Sequence, residues 1–287
     1  MKIAVAGGKG GTGKTLIATS LAIQLSGMAS SVVYCDADAE GPNGRLFLRP
    51  GVYQEIPYSV VVPALNAPKC SGCGNCQSIC AFHAIIATGR QVMVFPELCH
   101  SCGACFIACA DNLLARHNRH IGNIFVGNSQ RLRFYEATLN IGEARVSPLI
   151  TGVVNAAVRE NAAFTVIDNP PGTSCAAVAA QKIADLVVLV TEPTPFGLHD
   201  LKLAVQMGRK LDKPMLAVLN RADVCDASEV KSFLAAESVP LVAEIPFDKQ
   251  IAALTADGQL PLGRMDAFDA AMATIANAVR ESSGAVS

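Results

Sequence analysis

Long uncharged segments are missing from this chain, and their absence argues against a membrane-spanning helix. The apolar stretch at residues 183–191 is short and contains Asp185, whereas a membrane span needs roughly 18 uncharged residues. Residues 280–287 are neither basic nor amphipathic, so the usual physical basis of membrane anchoring is also lacking. We therefore expect a protein that does not bind membranes.

A leader segment and a strong charge imbalance are lacking as well. Residues 1–6 run straight into a glycine-rich motif, which leaves no room for a signal peptide. The formal charge is −1 and the pI is near 6.5, so no overall basic field favours nucleic acid. With 51% hydrophobic residues, the 287-residue chain can form one large domain or two. We expect a cytoplasmic globular protein that does not bind nucleic acid.

Cysteine, in contrast, is abundant and regularly spaced. Eight of the eleven cysteines form two runs with the same Cys-x2-Cys-x2-Cys-x3-Cys spacing. Two-cluster bacterial ferredoxins bind two [4Fe–4S] clusters with this spacing, and the fourth cysteine of each run binds the other run's cluster. Ala81 and Ala110 replace the proline that usually follows the fourth cysteine, which leaves the ligand set whole. The spacing predicts one cluster on Cys70, Cys73, Cys76 and Cys109, and a second on Cys99, Cys102, Cys105 and Cys80.

Three other interpretations of these cysteines fit less well. Simple burial of apolar cysteine does not explain a spacing that occurs twice. Disulfides are rare in the reducing cytosol. A structural zinc ion takes four ligands and does not usually have a third cysteine two residues beyond a Cys-x2-Cys pair. His83 and His100 adjoin the runs, but eight cysteines suffice for two clusters, so we assign the histidines no ligand role. For Cys35, Cys175 and Cys225, burial as small apolar side chains is the simplest interpretation.

A phosphate-binding loop precedes the cysteines. Residues 8–15 match G-x4-G-K-[ST] between a strand-like segment at 3–6 and a helix-like segment at 16–25. Lys14 is expected to reach the β- and γ-phosphates, and Thr15 is expected to bind Mg²⁺. Backbone N–H groups of such a loop face the phosphates of ATP. The predicted nucleotide-binding residues are therefore Gly8, Gly10, Gly11, Thr12, Gly13, Lys14 and Thr15.

Lys9 gives the loop a more specific resemblance. A loop that reads Lys-Gly-Gly-Thr-Gly-Lys-Thr resembles the deviant Walker A motif of the MinD, ParA, Mrp and nitrogenase iron protein superfamily. In that family the first lysine crosses a dimer interface to the partner's nucleotide. The resemblance implies this role for Lys9. It also implies a dimer that forms on ATP binding, either with a second copy or with a paralogue.

Later segments resemble the same family in the same order. Residues 32–38 resemble its second strand and first switch, which implies that Asp38 orients the attacking water. Residues 166–173 resemble its Walker B strand and second switch. This implies that Asp168 supports Mg²⁺ through water and that Gly172 lies near the γ-phosphate. A single aspartate after a strand is often only a helix cap, but four motifs in family order make that explanation insufficient.

A doubly wound, mostly parallel α/β sheet is the predicted fold, because short apolar segments alternate with helix-like ones. Asn220 ends one of these segments and resembles the family residue that contacts the adenine edge; a turn residue after a strand is the alternative. The ATPase domain is expected at residues 1–56 and 145–287.

An insert is expected at residues 57–144, and Pro57, Pro63 and Pro68 mark its start. Its cysteine part, at about residues 65–115, is expected to be an α+β ferredoxin-like domain. Between residues 110 and 145, apolar and polar residues alternate in short pieces around Gly122, Gly127-Asn128 and Gly142, which predicts a β-hairpin rather than a helix.

The whole chain therefore resembles members of the superfamily that carry an inserted ferredoxin domain, and three functions stay open. In the first, ATP-driven dimer closure gates electron delivery to a redox or metalloprotein partner. In the second, the ATPase assembles or inserts a metal cofactor, as Mrp-type carriers do, although no Cys-x2-Cys pair lies near the C-terminal region. The third is spatial organisation.

Basic residues cluster in the sequence after the cysteine runs, with few acidic residues among them. This group either docks an acidic partner or is a solvated surface, and its members are Arg116, His117, Arg119, His120, Arg131 and Arg133.

Overall fold

The computed structural model describes residues 1–51, 54–65 and 70–284. Pro68 and the last three residues of the C-terminal segment, 285–287, lie outside this range. Within it, no helix combines the length and hydropathy needed to cross a bilayer. In chain order the elements are β1 (Lys2–Ala6), α1 (Lys14–Ser26), β2 (Val32–Asp36), α2 (Gly44–Leu48), β3 (Gln54–Leu65), α3 (Asn75–Ser78), β4 (Ile85–Thr88), β5 (Gln91–Val94), α4 (Ala104–Ala108), β6 (Leu114–Ser129), β7 (Leu132–Leu139), α5 (Val146–Val158), β8 (Phe164–Asp168), α6 (Cys175–Ile183), β9 (Leu186–Thr191), α7 (Pro195–Lys210), β10 (Met215–Asn220), α8 (Ser228–Ala236), β11 (Leu241–Ile245), α9 (Lys249–Ala256) and α10 (Asp266–Gly284).

Nine of the described strands form one sheet in the order β11-β10-β9-β1-β8-β2-β7-β6-β3. The strands from β11 to β7 pair in parallel, and β6 and β3 join antiparallel at one edge. Neighbouring residues of one strand face opposite sides: Ile3 packs with α1 and α10, whereas Ala4 packs with α7 and α8. Helices α5 and α6 cover the same side as α7 and α8. The predicted large, mostly parallel α/β sheet is confirmed.

The predicted hairpin is present, but it belongs to the main sheet. Strands β6 and β7 pair antiparallel, and their turn lies at residues 130–131, beyond Gly127 and Asn128. Strand β7 also pairs in parallel with β2, so the hairpin extends the nucleotide-binding sheet. Pro57 and Pro63 lie in the edge strand β3, where a residue without an N–H is tolerated. The division into ATPase domain and insert remains a prediction. Strands β6 and β7 lie in the predicted insert but belong to the same sheet as the strands of the predicted ATPase domain.

The described residues between β3 and β6 form a small unit, which we call the cysteine lobe (residues 70–113). It contains α3, α4 and the two-stranded β4-β5 sheet. The two cysteine runs adopt the same backbone path, because left-handed residues occupy equivalent positions in both: Gly72 and Ser101, Gly74 and Gly103, His83 and Asn112. The repeated spacing in the sequence is therefore also a repeat in conformation.

Candidate functional site

The phosphate-binding loop joins β1 to α1 at the carboxyl edge of the sheet. Its last glycine, Gly13, has a φ of 95° and caps α1, which begins at Lys14. A Cβ on Gly13 would lie 2.5 Å from Nδ2 of Asn220, so a side chain there would be both strained and obstructed. Nζ of Lys14 folds back and donates to the carbonyl of Lys9, 2.7 Å away. The loop is therefore curled as the motif predicts.

Asp168 lies fully buried at the end of β8, beside this loop. Tyr34 donates its hydroxyl to Oδ2 of Asp168 at 3.1 Å, and the Thr15 side chain also hydrogen-bonds to the carboxylate. Burial raises the pKa of Asp168 to about 6, although these bonds and Lys14 act in the opposite direction. Burial likewise lowers the pKa of Lys14, against the attraction of Asp168 and Asp38. The structure thus brings Lys14, Thr15, Asp38 and Asp168 together.

Replacing Asp168 by asparagine should stabilise the nucleotide-free protein. The folded pKa, about 6, lies above the unfolded value of about 3.9, so between these values the folded chain binds more protons. Stability conferred by the protonated form is therefore lost as pH rises through this window. We expect Asp168→Asn to raise the free energy of unfolding at pH 7 by about 1–2 kcal/mol, with the difference gone near pH 4, in urea titrations.

Asp185 provides the control for this experiment, because hydrogen bonds and charge from Lys2 lower its pKa despite partial burial. Its Oδ1 lies 2.9 Å from Nζ of Lys2. Asp185→Asn should therefore destabilise the protein at pH 7, opposite in sign to Asp168→Asn. Equal pH dependence of wild type and Asp168→Asn would contradict the assignment of the raised pKa to Asp168.

Asp36, which the motif comparison did not single out, shapes the loop that carries Asp38. Its buried carboxylate accepts backbone N–H groups from Asp38 at 3.1 Å, Asn43 at 3.0 Å and Gly44 at 2.8 Å. The Asp38 side chain instead lines the cleft, and burial raises its pKa while Lys14 lowers it. The available signal for Asp36 was its position as the last residue of a buried strand.

One cleft collects most of the predicted nucleotide residues. Helix α9 and the segment around Phe247 form its opposite wall. Asn220 lines the cleft and donates from Nδ2 to the carbonyl of Thr12 at 2.8 Å, so it also holds the phosphate-binding loop. Its adenine contact remains a prediction. The predicted residues on the cleft wall are Gly10, Gly11, Gly13, Lys14, Thr15, Asp38 and Asn220.

The other predicted nucleotide residues do not line the cleft but lie next to residues that do. Thr12 and Asp168 are buried. The N–H of Gly172 donates to the carbonyl of Gly7 at 3.1 Å, which places the second switch segment against the start of the loop. A Cβ on Gly8 would lie 2.0 Å from Cβ of Asp200 in α7, so the backbone is packed tightly there. These residues can shape the loop as well as contact a phosphate.

Lys9 is held by a carboxylate of its own chain. Its Nζ lies 3.6 Å from Oε2 of Glu192, a buried residue directly after β9. Nη1 of Arg221 lies 2.5 Å from Oε1 of the same carboxylate. The sequence interpretation missed Glu192, for which the only signal was an acid following a buried strand. In this conformation Lys9 is paired within the chain.

The crossed spacing predicts two sets of cysteine ligands. We call Cys70, Cys73, Cys76 and Cys109 the first cysteine set, and Cys99, Cys102, Cys105 and Cys80 the second cysteine set. All four members of the second set line one cavity with Ile85 and Phe106. His100 stacks on Phe82 at the same cavity, with ring centroids 3.5 Å apart.

Electrostatic neighbours give the same division. Burial raises the pKa of the Cys76 thiol, and the cysteines that act on it are Cys109 and Cys70. Burial also raises the pKa of Cys105 to about 11, with further contributions from Cys99 and Cys102. Cys109 is thus a neighbour of Cys76 in the first run, and Cys80 lines one cavity with three cysteines of the second run.

The donor chemistry fits two [4Fe–4S] clusters, although ligation itself remains a prediction. Within the described ranges, no three His, Cys, Asp or Glu side chains converge on a single ion position. The four thiolates of a cluster bind four different irons, so they need not share one ion. Backbone N–H groups also point at cysteine sulfurs, as at Gly72 to Cys70 (3.4 Å) and Ser101 to Cys99 (3.4 Å).

The three cysteines outside the runs do not behave alike. Cys35 is buried in β2, as expected. The burial interpretation is wrong for Cys175 and Cys225, which are exposed. Cys175 is the first residue of α6 and Cys225 lies in the connection after β10, so neither faces an apolar core.

Comparison with known proteins identifies similar chains. Residues 3–262 match the model of the CobQ/CobB/MinD/ParA nucleotide binding domain. An uncharacterized protein of Methanocaldococcus jannaschii is 29% identical over 259 residues, which cover 88% of this chain and 87% of that protein. An iron-sulfur cluster carrier protein of Aquifex aeolicus is 24% identical over 274 residues, 90% of this chain and 60% of that protein.

Solved structures show the same fold. The septum site-determining protein MinD of Pyrococcus horikoshii, complexed with Mg-ADP, superimposes with a TM-score of 0.61 and 19% sequence identity, over 100% of this chain and 98% of that one. The cell division ATPase MinD of Pyrococcus furiosus gives 0.60 and 19%, over 98% of both chains. At this identity, the likeness concerns the fold alone.

Proposed function

Because the chain belongs to the CobQ/CobB/MinD/ParA nucleotide binding domain family, we propose that it is a Mg²⁺-dependent ATPase whose nucleotide state controls electron transfer from two [4Fe–4S] clusters to a metalloprotein partner. One observation carries this proposal: the cysteine lobe lies in the chain between β3 and β6, two strands of the sheet that carries the nucleotide cleft. Strand β2 ends at Asp36, two residues before the cleft residue Asp38, and pairs with β7. Strand β7 pairs with β6, whose first residue, Leu114, follows the lobe directly.

Hydrolysis is assigned to residues of the cleft. The loop N–H groups and Lys14 hold the phosphates, and Asp38 orients a water for in-line attack on the γ-phosphorus. Thr15, and Asp168 through water, would hold Mg²⁺, which neutralises charge on the phosphate oxygens. A neutral Lys14 or a protonated Asp168 would oppose these roles. The charge of bound Mg-ATP would favour the ionised form of both groups.

Dimerisation is assigned to Lys9. To reach the nucleotide of a second subunit, its ammonium must leave Glu192, 3.6 Å away within its own chain. The negative charge of the partner's ATP would compensate for the lost ion pair. Arg221 remains at 2.5 Å from Glu192, so the buried carboxylate keeps a cation after Lys9 departs.

The experiment that tests the function is a redox titration of the anaerobic protein with and without Mg-ATP. We expect about eight iron atoms per chain and an ATP-dependent shift of at least one cluster potential by about 60 mV or more, a tenfold change for one electron. Lys9→Ala should bind ATP, remain monomeric and keep the nucleotide-free potentials. Lys210→Ala, an exposed lysine on α7, should behave as wild type.

Three outcomes would contradict specific parts of the proposal. Stoichiometric zinc in place of iron would remove the redox function. Intact clusters whose reduction potentials do not change when ATP is added would contradict nucleotide control of electron transfer. Unchanged dimerisation and hydrolysis in Lys9→Ala would remove the role of this lysine across the interface.

Cofactor assembly is the second candidate, because relatives from Aquifex and Pyrococcus are named iron-sulfur cluster carrier proteins. Such a carrier should pass iron and sulfide to an acceptor protein that lacks its cluster, at a rate that depends on ATP. Retention of all iron during turnover with such an acceptor would favour electron transfer. Spatial organisation ranks third, since the likeness to MinD structures concerns the fold alone.

A further inference from the structure

Fixed charges surround the two cysteine sets unequally. Arg145 precedes α5, and its side chain is 7% exposed. Nη1 of Arg145 donates to the backbone carbonyl of Cys99, a member of the second cysteine set. A buried guanidinium is therefore fixed against the backbone of one cysteine, at a place where water screens its charge poorly.

Glu143 fixes this guanidinium in place. Its Oε1 accepts from Nε of Arg145 at 2.8 Å, and its Oε2 accepts from Nη2 at 3.1 Å. Nη1 of Arg119 lies 2.7 Å from Oε2 of the same carboxylate, and Arg119 also acts on the Cys99 thiol. Two guanidiniums share one carboxylate, so the group carries a net positive charge beside the second set.

The first cysteine set has a different neighbour. The backbone N–H of Ser71 donates to Oδ2 of Asp111 at 3.3 Å, which places a carboxylate beside Cys70. Asp111 is exposed, as are Arg90 and Glu97 elsewhere in the lobe, so water screens all three. Among the charges named here, all on described residues, the buried one is therefore beside the second set.

We propose, on the basis of the function proposed above, that Arg145 is a positioning residue that raises the reduction potential of the cluster on the second cysteine set above that of the first. Reduction adds one electron to a cluster, and a fixed positive charge stabilises the added negative charge. Electrons then pass from the first set to the second. The second set is also the one hydrogen-bonded to Arg145, in the connection between β7 and α5.

The position of Arg145 also connects it to the nucleotide. Helix α5 begins at the next residue and packs against α6. Helix α6 begins just after the second switch segment, where Ser174 caps it. A displacement of this segment on ATP binding would therefore reach Arg145 through two packed helices.

The test is a redox titration, followed by electron paramagnetic resonance, of the anaerobic full chain. Arg145→Met should lower one cluster potential by at least 59 mV, a tenfold change in the ratio of reduced to oxidised cluster. The other potential should not move. Arg145→Lys, which keeps the charge, should shift it less, and Arg159→Met, an exposed arginine at the far end of α5, should shift neither.

Two further variants show which cluster Arg145 affects and keep the test decisive if Arg145→Met misfolds. Cys73→Ala removes a ligand of the first set, and the shift caused by Arg145→Met should persist in the remaining four-iron cluster. Arg119→Met leaves the bond to Cys99 in place and should lower the same potential by a smaller amount. If Arg145→Met loses its second cluster, an unchanged potential in Arg119→Met overturns the proposal.

Failure of this inference is distinguishable from failure of the proposed function. Wild-type protein without clusters would overturn both. Two intact clusters whose potentials are the same in wild type and Arg145→Met would overturn only the role of Arg145. An ATP-dependent potential in wild type would then still support the proposed function.

Discussion

Replacing Asp38 by alanine should leave ATP bound but lower the hydrolysis rate by on the order of 100-fold to 1,000-fold. The Asp38 carboxylate lines the cleft with Lys14 and Thr15 but belongs to the loop after β2, not to the phosphate-binding loop. Removing it takes away the group that orients water, together with a negative charge near ATP. Binding should therefore persist or tighten, and the dimer should accumulate. Single-turnover hydrolysis and nucleotide titration measure the two effects separately.

Glu40 offers a matched control for Asp38, because it is an exposed acid on the same loop. Glu40→Ala changes the loop's charge equally but removes nothing from the cleft wall, so its hydrolysis rate should stay within about twofold of wild type. Normal turnover in Asp38→Ala would assign the attacking water to another residue. A parallel loss in Glu40→Ala would mean that loop charge, not water orientation, controls the rate.

The parts of the site that could be predicted from sequence are those that a short local sequence pattern determines. The phosphate-binding loop needs glycines at fixed positions, since Gly13 has positive φ and faces Asn220. The strand before it is apolar from Ile3 to Ala6 because both faces of a parallel sheet are covered. The cysteine spacing likewise predicts two crossed ligand sets, and the four cysteines predicted for the second set line one cavity.

What could not be predicted depends on partners far away in the chain. Alternation identifies β6 and β7 as strands, but nothing local states that β7 pairs with β2. No role is predicted from the sequence for Glu192 or Arg145, and only the packing shows that both are buried. Asp36 and Asp38 are both strand-end acids in the sequence. Their roles differ because three backbone N–H groups bind the Asp36 carboxylate, whereas the Asp38 side chain lines the cleft.

Removing iron should unfold the cysteine lobe and leave the ATPase sheet folded. The fully packed centre of the lobe is small, consisting of Cys76, Ile85 and Cys105, and two of these three are predicted cluster ligands. Helices α3 and α4 span only residues 75–78 and 104–108. A unit of this size lacks the buried area to fold alone, so metal–thiolate bonds should supply most of its stability, several kcal/mol.

Hydrogen exchange after anaerobic chelation measures this directly. Amides of residues 70–113 should lose nearly all protection, whereas those of β1, β9 and β10 should keep theirs, because the apolar clusters that contain these strands include no residue of the lobe. ATP affinity should change by less than about threefold, since a ligand that binds the folded sheet does not depend on the lobe. Iron and sulfide should restore the protection. Loss of protection throughout the sheet would instead mean that the lobe and the ATPase unfold as one cooperative unit, joined through β6 and Arg145.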